Sequence, residues 1–333
     1  MKHINVALFV PDEGCPHRCS FCNQKTISGK SRPLTVEDIE KAVETALSTS
    51  ECGDGEIAFF GGSFTAIERN YMLSLLKKGR EYVDKGLFKG IRISTRPDCI
   101  DREILEILKE HKVTSVELGC QSMDDEVLLL NERGHSSDDV IKSASLIKEY
   151  GFELGVQMMT GLYGDTKEKT LATAERLISL APDTARIYPT VVLENTALAS
   201  LYEKGEYIPQ GTDEAAEICA ELLLMFHRAD IKVIRLGLHS GGNVEDGFVA
   251  GAYHPAFREK AESIIYLKKI REEIKKEKLV KGTIEITVGS SYISMAIGQK
   301  KSNIKELSCM GFTAKIKGNN EYKKYEVSVR LTQ

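Results

Sequence analysis

The chain has 333 residues, 42% hydrophobic and 28% charged, with a formal net charge of −4, a composition that suits a globular protein of about two domains. The one apolar run near the start, residues 6–10, is too short for a secretory or membrane-spanning segment, so no membrane association is expected. Eight cysteines, three of them clustered, suit a reducing cytoplasm better than a disulfide framework. The other five (Cys52, Cys99, Cys120, Cys219, Cys309) read mostly as small buried hydrophobes.

Short β-rich apolar runs alternate with amphipathic stretches. Strands are predicted over 5–10, 56–60, 91–95, 115–118, 153–159, 184–189 and 232–236, and helices over 35–48, 71–85, 102–111, 137–150 and 214–229. Glu37 and Asp38 suit the positive end of the first helix. Six or seven parallel βα units define an α/β fold, a full or partial TIM-like (β/α) barrel, with its chemistry at the carboxyl ends of the strands.

The pattern changes after residue 257. A charged helix over 258–277 leads to Gly282, and a small α+β unit follows: strand 283–288, helix 291–297, the loop Gly298-Gln299-Lys300-Lys301, helix 302–309, strand 312–316, a turn at Gly318-Asn319-Asn320, and strand 323–330. The domain plan is therefore a barrel (1–257), a connecting helix (258–280) and a terminal domain (281–333). Residues 258–333 hold 17 Lys and Arg against 9 Asp and Glu, whereas the rest of the chain holds 28 against 40. A basic appendage on an acidic body marks a nucleic-acid module or, as readily, a solvated helix in which Lys268, Lys269, Lys275, Lys276 and Lys278 lie among glutamates.

The run Gly14-Cys15-Pro16-His17-Arg18-Cys19-Ser20-Phe21-Cys22-Asn23 carries the sharpest chemistry. Cys15, Cys19 and Cys22, spaced C-x-x-x-C-x-x-C, can hold three irons of a 4Fe–4S cluster and leave the fourth without a protein ligand. An open position of that kind separates a catalytic metal site from a structural one. A zinc knuckle of Cys15, His17, Cys19 and Cys22 competes, although His17 and Cys19 are closer in sequence than paired zinc ligands usually are. In Phe59-Phe60-Gly61-Gly62-Ser63-Phe64-Thr65, the paired glycines are either a simple turn or backbone left open to a ligand.

The cysteine spacing, with Phe21 before the third cysteine, resembles the radical S-adenosylmethionine superfamily. Further strand-end motifs follow: Ser94-Thr95-Arg96-Pro97-Asp98, Glu117-Leu118-Gly119-Cys120-Gln121-Ser122, Arg133-Gly134-His135, Met158-Met159-Thr160-Gly161-Leu162-Tyr163-Gly164 and Arg186-Ile187-Tyr188-Pro189-Thr190. Their succession resembles the radical domain of the Elongator catalytic subunit, which modifies wobble uridine in tRNA, over roughly residues 3–257. The resemblance implies a 4Fe–4S cluster on Cys15, Cys19 and Cys22 and S-adenosylmethionine beside it. Phe21 would pack by the adenine, Gly61 and Gly62 would take the amino group, and Ser63 would be a further cofactor-binding residue. Thr95, Glu117 and Gln121 would face the methionine and ribose, and Gly161 and Leu162 the adenine. Arg96 suits the carboxylate, because guanidinium matches carboxylate bidentately; an Arg96–Glu117 ion pair bracing the barrel mouth is the plainer reading. Tyr188 and Arg186 are candidates for substrate contact. Cys120 is a candidate hydrogen donor or methyl acceptor, with an inert buried thiol as the alternative. His239 and His254 read as structural.

The segment 296–307 resembles the helix–loop–helix of a KH domain, whose Gly-x-x-Gly loop clamps single-stranded backbone. Gly298, Gln299, Lys300 and Lys301 would make that contact, but Lys301 stands in place of the second glycine. The whole then reads as a cytoplasmic radical S-adenosylmethionine transferase acting on structured RNA, tRNA or rRNA, with a low-potential electron donor such as flavodoxin or ferredoxin. The Elongator subunit adds an acetyltransferase domain, expected to be missing here, which leaves the group installed undefined. A porphyrin or other small-molecule substrate, and a non-catalytic RNA-binding iron–sulfur sensor, are the alternatives.

Overall fold

A computed structural model describes residues 5–10, 15, 18–23, 26, 32–49, 53–238 and 244–332. His17, Cys52 and His239 lie outside the described residues. The chain divides into two compact units, one of residues 1–210 and 226–252, the other of 211–225 and 253–333.

The first unit is built on seven parallel strands: β1 (Val6–Val10), β2 (Glu56–Gly61), β3 (Gly90–Thr95), β4 (Val113–Gln121), β5 (Glu153–Thr160), β6 (Thr184–Pro189) and β8 (Lys232–Leu236). They pair in the order β1-β2-β3-β4-β5-β6-β8. Between them run α1 (Val36–Thr49), α2 (Arg69–Asp84), α3 (Arg102–Glu110), α4 (Asp125–Leu130), α5 (Ser137–Glu149) and α6 (Lys167–Ser179). Sequential parallel neighbours joined by helical crossovers are the βα repeat read from the sequence. All six residues of β3 are buried, as expected where helices cover a parallel sheet. Side-chain caps fix the helix starts: Asp101 accepts from Ile104 N–H, Asp124 from Val127 N–H, and Ser136 with Asp139 forms a reciprocal capping box.

The strand register leaves a charged interior layer. Glu56, Arg92 and Glu117 are all at most 5% exposed. Arg92 donates to Glu56, Glu117 and Glu153 at 2.7, 3.2 and 3.2 Å. Arg186 grips Glu117 with two bonds of 2.6 and 2.9 Å. Room for Glu117 comes from Gly155 on the next strand, where a Cβ would stand 2.7 Å from Glu117 Cγ.

Several shorter elements were not read from the sequence, α4 and those that follow β6 among them. A short antiparallel pair, β7 (Val191–Leu193) with β9 (Phe248–Gly251), accompanies α7 (Ala197–Glu203). Val192, Leu198 and Tyr207 form a small core there, against which Phe21 packs.

The second unit contains α9 (Phe257–Lys276), β10 (Gly282–Val288), α10 (Ile293–Ile297), α11 (Ser302–Cys309), β11 (Phe312–Gly318) and β12 (Val327–Leu331); α8 (Thr212–Arg228) is shared between the units. The charged helix therefore belongs to the compact terminal unit and is not a separate connector. Its sheet has the order β11-β10-β12, with β10 parallel to β11 and antiparallel to β12. The last strand begins four residues later than predicted, because 323–326 form a turn in which Tyr325 has φ 65° and donates its N–H to Tyr266 Oη.

Candidate active site

The carboxyl ends of β1 to β4 surround a cavity of about 830 Å3, within the range of small-molecule sites. Cys15, Cys19, Cys22 and Phe21 line it, with Gly61, Gly62, Ser63, Thr95, Arg96 and Gln121. The structure thus brings together most of the residues singled out from separate stretches of sequence.

The cysteine loop is tied down on several sides. Ser20 N–H bonds Asn131 O, Ser20 Oγ bonds Asn131 Oδ1 at 2.7 Å, and Leu198 N–H bonds Ser20 O. Burial pushes the Cys15 thiol up from its ordinary pKa, opposed by the Ser63 N–H. No three His, Cys, Asp or Glu side chains among the described residues converge on a single metal-ion position. Cys15, Cys19 and Cys22 nonetheless all line this one cavity.

The Gly61-Gly62 turn is a place where only glycine fits. Gly61 has φ 120°, and a Cβ there would lie 2.3 Å from Val10 O. Gly62 N–H is spent on Val10 O at 3.2 Å, so its carbonyl is what it has left for a ligand. That is the polarity an ammonium group requires. Thr95 Oγ1 lies 2.8 Å from Ser63 Oγ and 2.6 Å from Thr65 Oγ1, a hydroxyl chain that fixes the β2 and β3 ends together.

Arg96 and Glu117 do not pair with each other. Arg96 takes Asp98 bidentately at 2.9 and 2.8 Å and donates to Arg133 O. Its Nη1 is buried without a partner, as is Gln121 Oε1. A buried donor and a buried acceptor left open on one cavity wall match a ligand that has both acceptor and donor groups. Glu117, by contrast, is engaged by Arg92, Arg186 and Gln157 Nε2, the last at 2.9 Å. It serves the interior charge layer and does not line the cavity.

Gly161 and Leu162 also stand off the cavity lining. Gly161 N–H is taken by Asp165 Oδ2 at 2.9 Å and its carbonyl by Tyr207 Oη at 2.6 Å, so neither backbone group is free. Gly119 and Gln121 line the cavity and Cys120 does not, at an irregular end of β4 where the register shifts and Gln121 has φ 66°. Cys120 is fully buried, its Sγ lies 3.4 Å from Leu118 O, and burial pushes its thiol up to about 12. That is the inert alternative. Tyr188 is half-buried beside Arg186, away from the lining; burial raises its phenol while Arg186 pulls it down. His254 accepts from Ala256 N–H at 3.0 Å, a local turn bond.

The sequence reading gave no role to Arg133, Ser94, Gln157 or Asn195, all of which line the cavity. Inward alternation on β3 and β5 was the available signal for Ser94 and Gln157. Arg133 stood in a quoted motif, but only the fold shows that it reaches Cys19.

A half-open parallel barrel with three cysteines and a glycine turn at its strand ends defines a class of enzyme, and comparison with known families agrees. The chain matches the Radical SAM superfamily over residues 10–177 and the Radical_SAM C-terminal domain over residues 182–269. It belongs to the radical SAM superfamily. Among curated proteins it is 32% identical over 184 residues to the tRNA uridine(34) acetyltransferase of Methanocaldococcus infernus, covering 49% of this chain and 34% of that protein. It is 27% identical over 191 residues to human Elongator complex protein 3, covering 51% of this chain and 35% of that protein. The chain thus spans about a third of the length of these two relatives. Among solved structures, the archaeal Methanocaldococcus infernus Elp3 with an N-terminal deletion superposes with a TM-score of 0.63 at 20% identity, covering 90% of this chain and 69% of that one. That likeness concerns the fold.

Proposed function

We propose that the chain is an RNA-modifying radical S-adenosylmethionine enzyme whose target is a nucleoside of tRNA or rRNA. The observation that carries the reading is the cavity that gathers Cys15, Cys19 and Cys22 with the Gly61-Gly62 turn and the unpartnered Arg96 and Gln121 atoms. Cys15, Cys19 and Cys22 would hold the 4Fe–4S cluster. Gly62 O would accept from the amino group of S-adenosylmethionine, Arg96 Nη1 would bind its carboxylate, and Gln121 Oε1 would accept from its ribose. When bound, the pair supplies a low-potential electron, for which potentials near −700 mV are within reach, and a sulfonium that this electron cleaves. Arg133 and Arg96 keep positive charge beside the cysteine sulfurs, and Phe21 closes the apolar side against Val192 and Leu198. A flavodoxin- or ferredoxin-type donor and a cytoplasmic setting belong to the same reading.

The RNA assignment draws on two supports: relatives named for tRNA uridine(34) and for Elongator, and the basic terminal segment. That segment is KH-like in its strand–helix–loop–helix–strand order. Its loop contributes Gly298, Gln299, Lys300 and Lys301 as an RNA contact. Lys301 has φ 62° and ψ 33°, the left-handed geometry that glycine favours. Both lysines are exposed.

The test compares nucleosides of purified tRNA and rRNA by mass spectrometry between a deletion strain and its parent grown without oxygen. A modified nucleoside that disappears, and returns with the wild-type gene but not with Cys22→Ala, identifies substrate and reaction. Unchanged nucleosides in both pools overturn the RNA assignment and leave a small-molecule substrate.

A further inference from the structure

The terminal sheet has two unlike faces. Ile284, Ile286 and Val288 of β10 are fully buried, with Phe312 and Val329 beside them in the unit's core. The alternate residues form a polar face in two cross-strand rows. Strand register aligns Lys315, Glu285 and Arg330 in one, and Lys317, Thr287 and Ser328 in the next. Lys315, Lys317 and Arg330 are exposed. Glu285 is committed to Arg330 at 2.5 Å, whereas neither lysine has an acidic partner among the described residues. The face therefore carries an excess of positive charge.

Beside the second row the face deepens into a hollow of about 590 Å3, lined by Thr287, Ser290, Lys317, Tyr322, Ser328 and Arg330 among others. Tyr322 is half-buried and held by its hydroxyl, 2.7 Å from Ser328 Oγ. Its ring is thereby fixed in orientation next to the unpaired cation Lys317. Gly318 keeps the hollow's edge close: a Cβ there would come within 3.0 Å of Ser290 Oγ.

An anchored aromatic ring at the end of a row of unpaired cations is the pairing that single-stranded nucleic acid recognition uses. Cations track the phosphates, and the ring offers a stacking surface that any base can use. We infer that this polar face binds a single-stranded segment of RNA, with Lys315 and Lys317 on successive phosphates and one base against Tyr322. It is a contact additional to the loop at 298–301, and it rests on the reading of the chain as an RNA enzyme.

The test uses the full-length protein and a fluorescently labelled short single-stranded oligoribonucleotide of mixed sequence, titrated at several salt concentrations. Lys315→Gln with Lys317→Gln changes only exposed side chains, and unchanged circular dichroism and melting would confirm folding. This variant should weaken binding by about tenfold or more and flatten the logarithmic salt slope by about 1.4, ~0.7 for each lost single-strand phosphate contact. Tyr322→Leu should weaken it by about fivefold or more at unchanged salt slope, while Tyr322→Phe, which keeps the stacking surface and gives up only the hydroxyl anchor, should weaken it less than Tyr322→Leu does. Wild-type affinity and slope in the double lysine variant, with loss confined to Lys300→Gln plus Lys301→Gln, would overturn the inference but spare the RNA reading. Absence of salt-dependent RNA binding by the wild-type protein would overturn both. Equal competition by polyglutamate, with no effect of Tyr322→Leu, would make the occupant an acidic peptide and also overturn it.

Discussion

Arg133 holds its Nη1 3.0 Å from Cys19 Sγ while its Nη2 donates to Gly119 O at 2.7 Å. One guanidinium thus joins a cysteine of the β1 loop to the end of β4, and it lies over the Phe21 ring at 6.0 Å. A charged donor on a ligand sulfur stabilises the electron-rich form of the site and raises its potential. In reconstituted protein, Arg133→Gln should lower the midpoint potential by about 60 mV or more, the equivalent of about 1.4 kcal/mol for one electron. Potentiometry followed by electron paramagnetic resonance reads this directly. An unchanged potential with weakened S-adenosylmethionine binding would assign Arg133 to the ligand instead.

Glu117 neutralises Arg92 and Arg186 inside the first unit. Removing one partner of a buried ion network leaves uncompensated charge, at a cost of about 3–5 kcal/mol. Glu117→Gln should therefore lose about 3 kcal/mol of stability in urea denaturation. If stability holds and only S-adenosylmethionine affinity falls, the ligand-contact role read from the sequence is the right one.

His135 is buried with its Nε2 3.2 Å from Cys120 O. Burial first, then Arg133 and Arg96, lower its pKa to about 4 from 6.5. A histidine depressed in the folded state is protonated more readily when unfolded. Its contribution to stability is therefore fully present above pH 6.5 and is lost as pH falls toward 4. Urea denaturation should show the protein about 2 kcal/mol less stable at pH 5 than at pH 7.5 through this group. His135→Gln should remove that part of the slope; an unaltered slope would refute the assignment.

Cys120 faces the core, and Cys120→Ala should leave cleavage of S-adenosylmethionine by the reduced protein within about twofold of wild type. The same change should cost on the order of 1 kcal/mol of stability from the lost sulfur packing. Cleavage retained but RNA product absent would restore a catalytic part for the thiol.

Much of the barrel was legible because its signals are local. Each strand is a short apolar run and each helix an amphipathic stretch, so β6 and β8 were bounded to the residue. The cysteine triad and the glycine turn were readable from spacing. Glu117 and Arg96 were harder, because a charged residue at a strand end looks the same whether it meets a ligand or another side chain. Which partner it finds depends on register between strands far apart in sequence: Arg92, Glu117 and Arg186 meet across a span of four strands, β3 to β6. Arg133 was missed for the same reason, since its partner lies 114 residues away. The pair β7 and β9 escaped notice because both strands are short and separated by a long stretch of chain.

The seven-stranded wall begins at β1 and ends at β8, and among the described residues these two do not bond to each other. A closed cylinder can be entered only from its rim and must admit its guest whole. Here the sheet instead has two terminal strands, each with one edge outside the seven-strand ladder, so the cavity at the strand ends is bounded by loops and side chains as well as by the sheet.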